Sequence, residues 1–127
     1  MANINNFEEL KSWQKSRELC AYVFKLTNKE NFKREFSLKD QIIRSSGSVM
    51  DNIAEGFDRM SPKEFRRFLF YSKGSCSEVK SQLYRAFDQN FITKEEFNKC
   101  FKLAVECNNL IGGFINYLEK CDKQKTK

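Results

Sequence analysis

The chain has 127 residues, 40% hydrophobic and 31% charged, which suits one domain with one core and excludes both a disordered chain and two ordinary domains. It has no histidine, and that removes Ser-His-Asp and Cys-His chemistry, imidazole acid-base catalysis and His-ligated metals together. The 23 Lys and Arg against 17 Asp and Glu give a net charge of +6, favouring polyanionic partners without naming one.

A single proline, Pro62, and five glycines leave few sites for the tight turns of an all-β sandwich, so the composition favours helices. The five cysteines, Cys20, Cys76, Cys100, Cys107 and Cys121, are widely spaced and contain no CxxC pair. They read as reduced core thiols, not as a disulfide framework or a zinc site. The N-terminal stretch MANINNFEELKSW has neither the basic start nor the apolar run of a signal peptide, and no later hydrophobic stretch reaches membrane-spanning length. The expectation is a cytoplasmic protein with no membrane partner, no cofactor and no metal.

Four segments carry helical periodicity, and they predict an all-α, antiparallel up-down-up-down four-helix bundle over residues 1–127. The first helix is expected over residues 7–28, with Leu10, Trp13, Cys20, Val23 and Phe24 on its core stripe. Arg17 falls inside that stripe, and Leu19, Tyr22 and Leu26 form a second apolar side available to another chain. The second helix, over residues 37–58, opens at Ser37 as an N-cap, with Asp40 favouring the positive helix end. Leu38, Ile42, Val49, Ile53 and Phe57 form its stripe, with Ser46 and Gly56 as small members where a neighbour can come close.

The third helix, over residues 62–89, has the clearest start. Ser61-Pro62-Lys63-Glu64 combines an N-cap serine, proline at the first helical position and the glutamate of a capping box. Phe65, Phe68, Leu69, Cys76, Val79, Leu83, Ala86 and Phe87 supply its core face. The fourth helix, over residues 93–121, opens with the capping box Thr93-Lys94-Glu95-Glu96 and buries Phe97, Cys100, Ala104, Cys107, Ile111, Phe114, Ile115 and Leu118. Residues 122–127 read as a frayed basic tail. Gly112 and Gly113 are costly inside a helix and mark either a kink or a close approach by another chain.

On the third helix Lys63, Arg66, Arg67, Lys73, Lys80 and Arg85 project within an arc of about 140° opposite the apolar face. The stripe reads as a solvated helix face or as a surface for the phosphates of RNA or DNA, with Tyr71 and Tyr84 near enough to stack. Repetition of the stripe in an oligomer would favour the second reading. A protein-interaction scaffold is the alternative, its contacts drawn from Leu19, Tyr22, Leu26, Ile43 and Met50.

Arg44 to Ser48, then Asn52-Ile53-Ala54-Glu55-Gly56, Arg59, Phe65, Phe68-Leu69, Gly74-Ser75 and Glu78 form a pattern that resembles the signature of the 23S rRNA intervening-sequence proteins. Phe7, Leu10 and Trp13 and the Phe36-Ser37-Leu38 entry to the second helix look like the same family. Arg17 departs from its pattern, as does Phe57-Asp58. The family includes the accessory variability determinants of diversity-generating retroelements, which form pentameric barrels of four-helix bundles and bind nucleic acid beside a reverse transcriptase. The resemblance therefore implies a homo-oligomer, a pentamer, with RNA or DNA and a reverse transcriptase as partners.

Within the signature, Asn52, Glu55, Gly56, Arg59, Gly74, Ser75 and Glu78 place carboxylates and an arginine near one helix crossing. Neither a glycine-rich phosphate loop nor a metal-ligand cluster accompanies them, so no catalytic role is assigned and the protein is not expected to be an enzyme. Gly56 and Gly74-Ser75 are expected to let helices approach, with Arg44 or Arg59 satisfying Glu55 or Glu78.

Overall fold

The structure, a computed structural model, describes residues 4–125, with the side chains of 124 and 125 left out. A short 3-10 turn, Phe7–Glu9, precedes four helices: α1 (Lys11–Thr27), α2 (Phe36–Phe57), α3 (Pro62–Asp88) and α4 (Lys94–Lys125). No strand occurs among the described residues. Each helix touches its two neighbours in the cyclic order α1, α2, α3, α4, and the diagonal pairs stay apart.

The pairings across three of the four seams run in opposite senses. Ser72 meets Val49 and Arg85 meets Gln41 across α2 and α3; Arg66 meets Asp122 and Tyr84 meets Phe97 across α3 and α4. Lys15 meets Glu106 and Tyr22 meets Lys99 across α1 and α4. Connectors of this length hold consecutive helices as antiparallel neighbours.

The core forms where the apolar stripes of α2, α3 and α4 converge. Ile42, Val49 and Ile53 meet Leu69, Cys76, Val79 and Leu83 and the α4 set Cys100, Ala104, Cys107 and Ile111, all essentially inaccessible to solvent. Phe68, Phe87, Phe97 and Phe114 from the expected stripes are half-buried at the margins. Gly56 lets α2 and α3 close on each other: a Cβ there would stand 2.8 Å from Phe65 Cδ1 and 2.8 Å from Phe68 Cβ.

The first helix differs from the expectation in extent and in phase. Leu10 is extended (φ −76°, ψ 127°) and separates the 3-10 turn from α1. The Glu9 carboxylate holds that turn by accepting from the Asn5 and Asn6 N–H groups, at 2.8 and 3.0 Å. The buried side of α1 is Ser12, Ser16, Leu19, Val23, Leu26 and Thr27, so Leu19 and Leu26 belong to the core and not to a surface for another chain. Phe24 is 60% exposed, and Trp13 and Cys20 are half-buried. Arg17 thereby leaves the core stripe: it is exposed, with its guanidinium 5.8 Å from the Trp13 ring centre.

Serine makes this phase possible. Ser16 donates to the Ser12 carbonyl at 2.6 Å, a bond within the helix that satisfies its hydroxyl in the core, whereas the buried Ser12 hydroxyl has no hydrogen-bond partner among the described residues.

Three helix ends also differ. The N-cap of α2 is Glu35, without a side-chain cap bond, while the Ser37 hydroxyl accepts from the Gln41 amide at 3.3 Å. At α3, Ser61 accepts from the Glu64 N–H at 3.4 Å and Pro62 opens the helix, but the Glu64 carboxylate turns to Arg67. The α4 box is complete: Glu96 N–H donates to Thr93 Oγ1 at 3.1 Å and Thr93 N–H donates to Glu96 at 2.8 Å. Helix α4 then continues to Lys125, through four residues of the expected tail; residues 126–127 lie outside the described residues.

Candidate nucleic-acid interface

The six cations of the α3 stripe do not form one free row. Lys63, Arg67 and Arg85 are exposed along the centre, and Arg66, Lys73 and Lys80 are half-buried. Arg66 reaches Asp122 of α4 at 3.5 Å, and Arg67 reaches Glu64 at 3.2 Å. Lys80 lies over the Phe101 ring at 5.6 Å, and Arg85 donates to the Gln41 amide oxygen at 2.8 Å. Lys63 and Lys73 have no ion pair among the described residues.

These pairs are partly solvated, so each contributes little to stability and yields readily to a stronger anion. Phosphate offers arginine the same bidentate geometry as carboxylate with more charge. The Arg66 and Arg67 pairs therefore hold the guanidiniums in place without removing them from the surface.

The neighbouring α4 adds exposed Lys94, Lys102 and Lys120, none with an ion pair among the described residues. They share one side of α4, within an arc of about 80° at helical spacing. Sequence reading passed over them because it sought one dense stripe, whereas they are spread along the whole helix. Tyr71 and Tyr84 keep about half of their surfaces exposed while packing against Phe68 and Phe97.

The signature residues gather mainly along the seam between α2 and α3. Ser75 donates to Ser48 Oγ at 3.0 Å, and the Asn52 amide donates to the Ser48 carbonyl and hydroxyl at 2.8 and 2.9 Å. Glu55 pairs with Arg59 at 2.6 Å, and the Arg59 guanidinium lies 4.8 Å from the Phe68 ring centre. Gly56 is the close approach. Gly74 is not, since nothing lies within 4 Å of a Cβ built there. Arg44 and Glu78 are exposed and do not pair with each other. The Ser75–Ser48 hydroxyl bond and the Gly56 approach thus join the two helices, while Asn52 bonds within α2, and these roles are architectural.

Burial pushes the Cys76 and Cys100 thiols up to about 12 and the Cys107 thiol up to about 11, far from the range of a reactive thiolate. No cluster of Cys, Asp and Glu among the described residues could hold a metal ion. None of the described helices is long and apolar enough to cross a membrane.

The chain matches the 23S rRNA-intervening sequence protein family over residues 8–113. It belongs to that family. The intervening-sequence protein fold is shared with a solved structure described as a protein of unknown function from the S23 ribosomal protein family of Bacteroides thetaiotaomicron VPI-5482. The two are 25% identical with a TM-score of 0.75, over 82% of this chain and 97% of that one. No curated protein matches this chain. The match reaches from just before α1 to Gly113 of α4, so it includes all of α2 and α3 and hence the whole seam and the whole basic stripe.

Proposed function

We propose that this intervening-sequence protein is a non-enzymatic nucleic-acid-binding protein that acts as a homo-oligomer and grips the phosphates of RNA or DNA with the outer face of α3. The supporting observation is the collection of cations on adjacent helices: six on α3, joined by Lys94, Lys102 and Lys120 on α4. Such a surface binds by charge and reads little sequence. A pentamer, as in the accessory variability determinants, would repeat it around a ring and raise the effective concentration of cations along one strand. In that setting a reverse transcriptase is the proposed protein partner.

Binding measured across a salt series tests the reading. With roughly four phosphates neutralised, the log-log slope on duplex DNA is about −3 to −4. The double variant Arg66→Glu, Arg67→Glu, shown by circular dichroism to be folded, should lose most of the affinity. Salt-insensitive binding, or full affinity in that variant, overturns the proposal.

A protein-interaction scaffold is the second reading, favoured by Phe24 and Phe36, which are 60% and 69% exposed. Aromatic side chains are enriched in protein–protein interfaces. Light scattering on Phe24→Asp and Phe36→Asp separates association through these rings, which the variants abolish, from a monomer, which they leave unchanged.

A further inference from the structure

Phe70 stands on α3 with 55% of its surface exposed and forms the common wall of two hollows. One, of about 250 Å³, is otherwise lined by Lys63, Glu64, Arg66 and Arg67. The other, a groove of about 320 Å³ between α3 and α4, is lined by Lys73, Asn109, Gly112, Gly113, Asn116 and Glu119 among others.

The two glycines serve no close approach within the protomer. Each lowers helix stability by about 1 kcal/mol relative to alanine, and nothing lies within 4 Å of a Cβ built at either one. They keep a strip of α4 backbone bare at the floor of the groove. Beside that strip Asn109 and Asn116 carry amides able both to donate and to accept hydrogen bonds.

An exposed ring, a cationic hollow on one side of it and a bare strip flanked by amides on the other match the parts of a nucleotide. The charges also set an orientation. The hollow carries Lys63, Arg66 and Arg67 against Glu64 alone, whereas in the groove the one cation, Lys73, is offset by Glu119. A phosphate thus sits in the hollow and an uncharged base in the groove.

We propose that the groove between α3 and α4 holds an unpaired nucleotide of a single-stranded nucleic acid, its base stacked on Phe70 above Gly112 and Gly113. This rests on the phosphate-binding reading of α3 and adds a preference for single strands. A base within a duplex is already stacked on both faces and cannot reach Phe70 without being flipped out.

The test compares dye-labelled oligoadenylate with a duplex of the same length by fluorescence anisotropy at one salt concentration. Wild-type protein binds the single strand more tightly. Phe70→Ala lowers single-strand affinity about tenfold and leaves duplex affinity unchanged, while Phe70→Trp retains both. Gly112→Leu fills the groove and lowers single-strand affinity in a protein at least as stable to urea as the parent. If Phe70→Ala and Gly112→Leu keep full single-strand affinity while Arg66→Glu, Arg67→Glu loses it, the groove site is overturned and phosphate binding stands. If wild-type protein binds neither probe, both readings fall. If Gly112→Leu alters only the oligomeric state, the glycines belong to a contact between copies, and the groove site is again overturned.

Discussion

The ammonium of Lys29 rests on the carboxylate of Glu96, tying the connector after α1 to the first turn of α4. The same carboxylate accepts from the Thr93 N–H, so one side chain both caps a helix and locks two segments distant in sequence. Burial acts to raise the Glu96 pKa, but the Lys29 and Thr93 bonds outweigh it and hold it below the ordinary 4.5. The unfolded chain therefore takes up this proton first as pH falls, so the stabilisation is present above pH 4.5 and is lost on acidification. Glu96→Gln should lower stability at neutral pH by about 1 kcal/mol. In urea melts the gap from wild type should narrow well below pH 4.5; a gap independent of pH would disprove the assignment.

Gly56 and Gly74 should respond oppositely to alanine. At Gly56 the new methyl meets Phe65 and Phe68 at 2.8 Å and the Phe65 carbonyl oxygen at 3.2 Å. Phe68 Cβ and the Phe65 carbonyl oxygen are fixed by the backbone and the Phe65 ring is buried, so overpacking outweighs the gain in helix propensity and Gly56→Ala loses about 1–2 kcal/mol. Gly74→Ala meets nothing and gains about 1 kcal/mol. Thermal melts of the two variants should shift in opposite directions.

Met60, just beyond α2, adopts φ 58° and is 93% exposed. A side chain in the left-handed region is strained, and this one has almost no packing to offset the strain. Met60→Gly should stabilise the protein by about 1 kcal/mol, because the relief exceeds the added freedom of the unfolded chain. A lower unfolding midpoint would show that Met60 has contacts worth more than its strain.

The cysteines should divide into two classes under a thiol-specific reagent. Cys20 and Cys121 are half-buried, and Cys76, Cys100 and Cys107 are buried. The latter three, with burial pushing them to about 11 or 12, should label only at the rate of unfolding. Mass spectrometry under native conditions should therefore find modification confined to Cys20 and Cys121, with Cys20 the slower because its thiol, pushed up to about 11, donates to the Ser46 carbonyl. Early labelling of Cys107 would reveal local opening of α4.

Helices α2, α3 and α4 were legible because their buried positions carry large aliphatic and aromatic residues at regular spacing, with Ser61-Pro62 and Thr93-Glu96 marking two starts. Helix α1 was misphased for a chemical reason. Its core side includes Ser12, Ser16 and Thr27, which a hydropathy pattern scores as surface, while exposed Phe24 scores as core. The position of Leu10 as a break was equally hidden, since leucine is a good helix former and only the Glu9 bonds to the preceding backbone show where the turn ends.

The basic stripe was legible as a list of residues but not as a surface. Periodicity places a charge on a face; it does not reveal that Arg66 finds Asp122 on another helix or that Phe70 separates two hollows. Those relations depend on which helices become neighbours, and the α4 lysines gain relevance only once that helix lies beside α3.

Ile4 and Leu118 line the same apolar hollow, alongside Phe57, Pro62 and Phe65. The two ends of the described chain therefore emerge from one pole of the bundle, and the connectors before α2 and before α4 lie at the other. A short linker could join those ends and new ones be cut between Gln89 and Asn90, which are exposed, keeping buried Ile92 and the Thr93–Glu96 cap with α4, since permutation of this kind succeeds where termini are near neighbours and the cut falls at the surface. A reporter fused at either terminus would likewise hang from that single pole, clear of the opposite one.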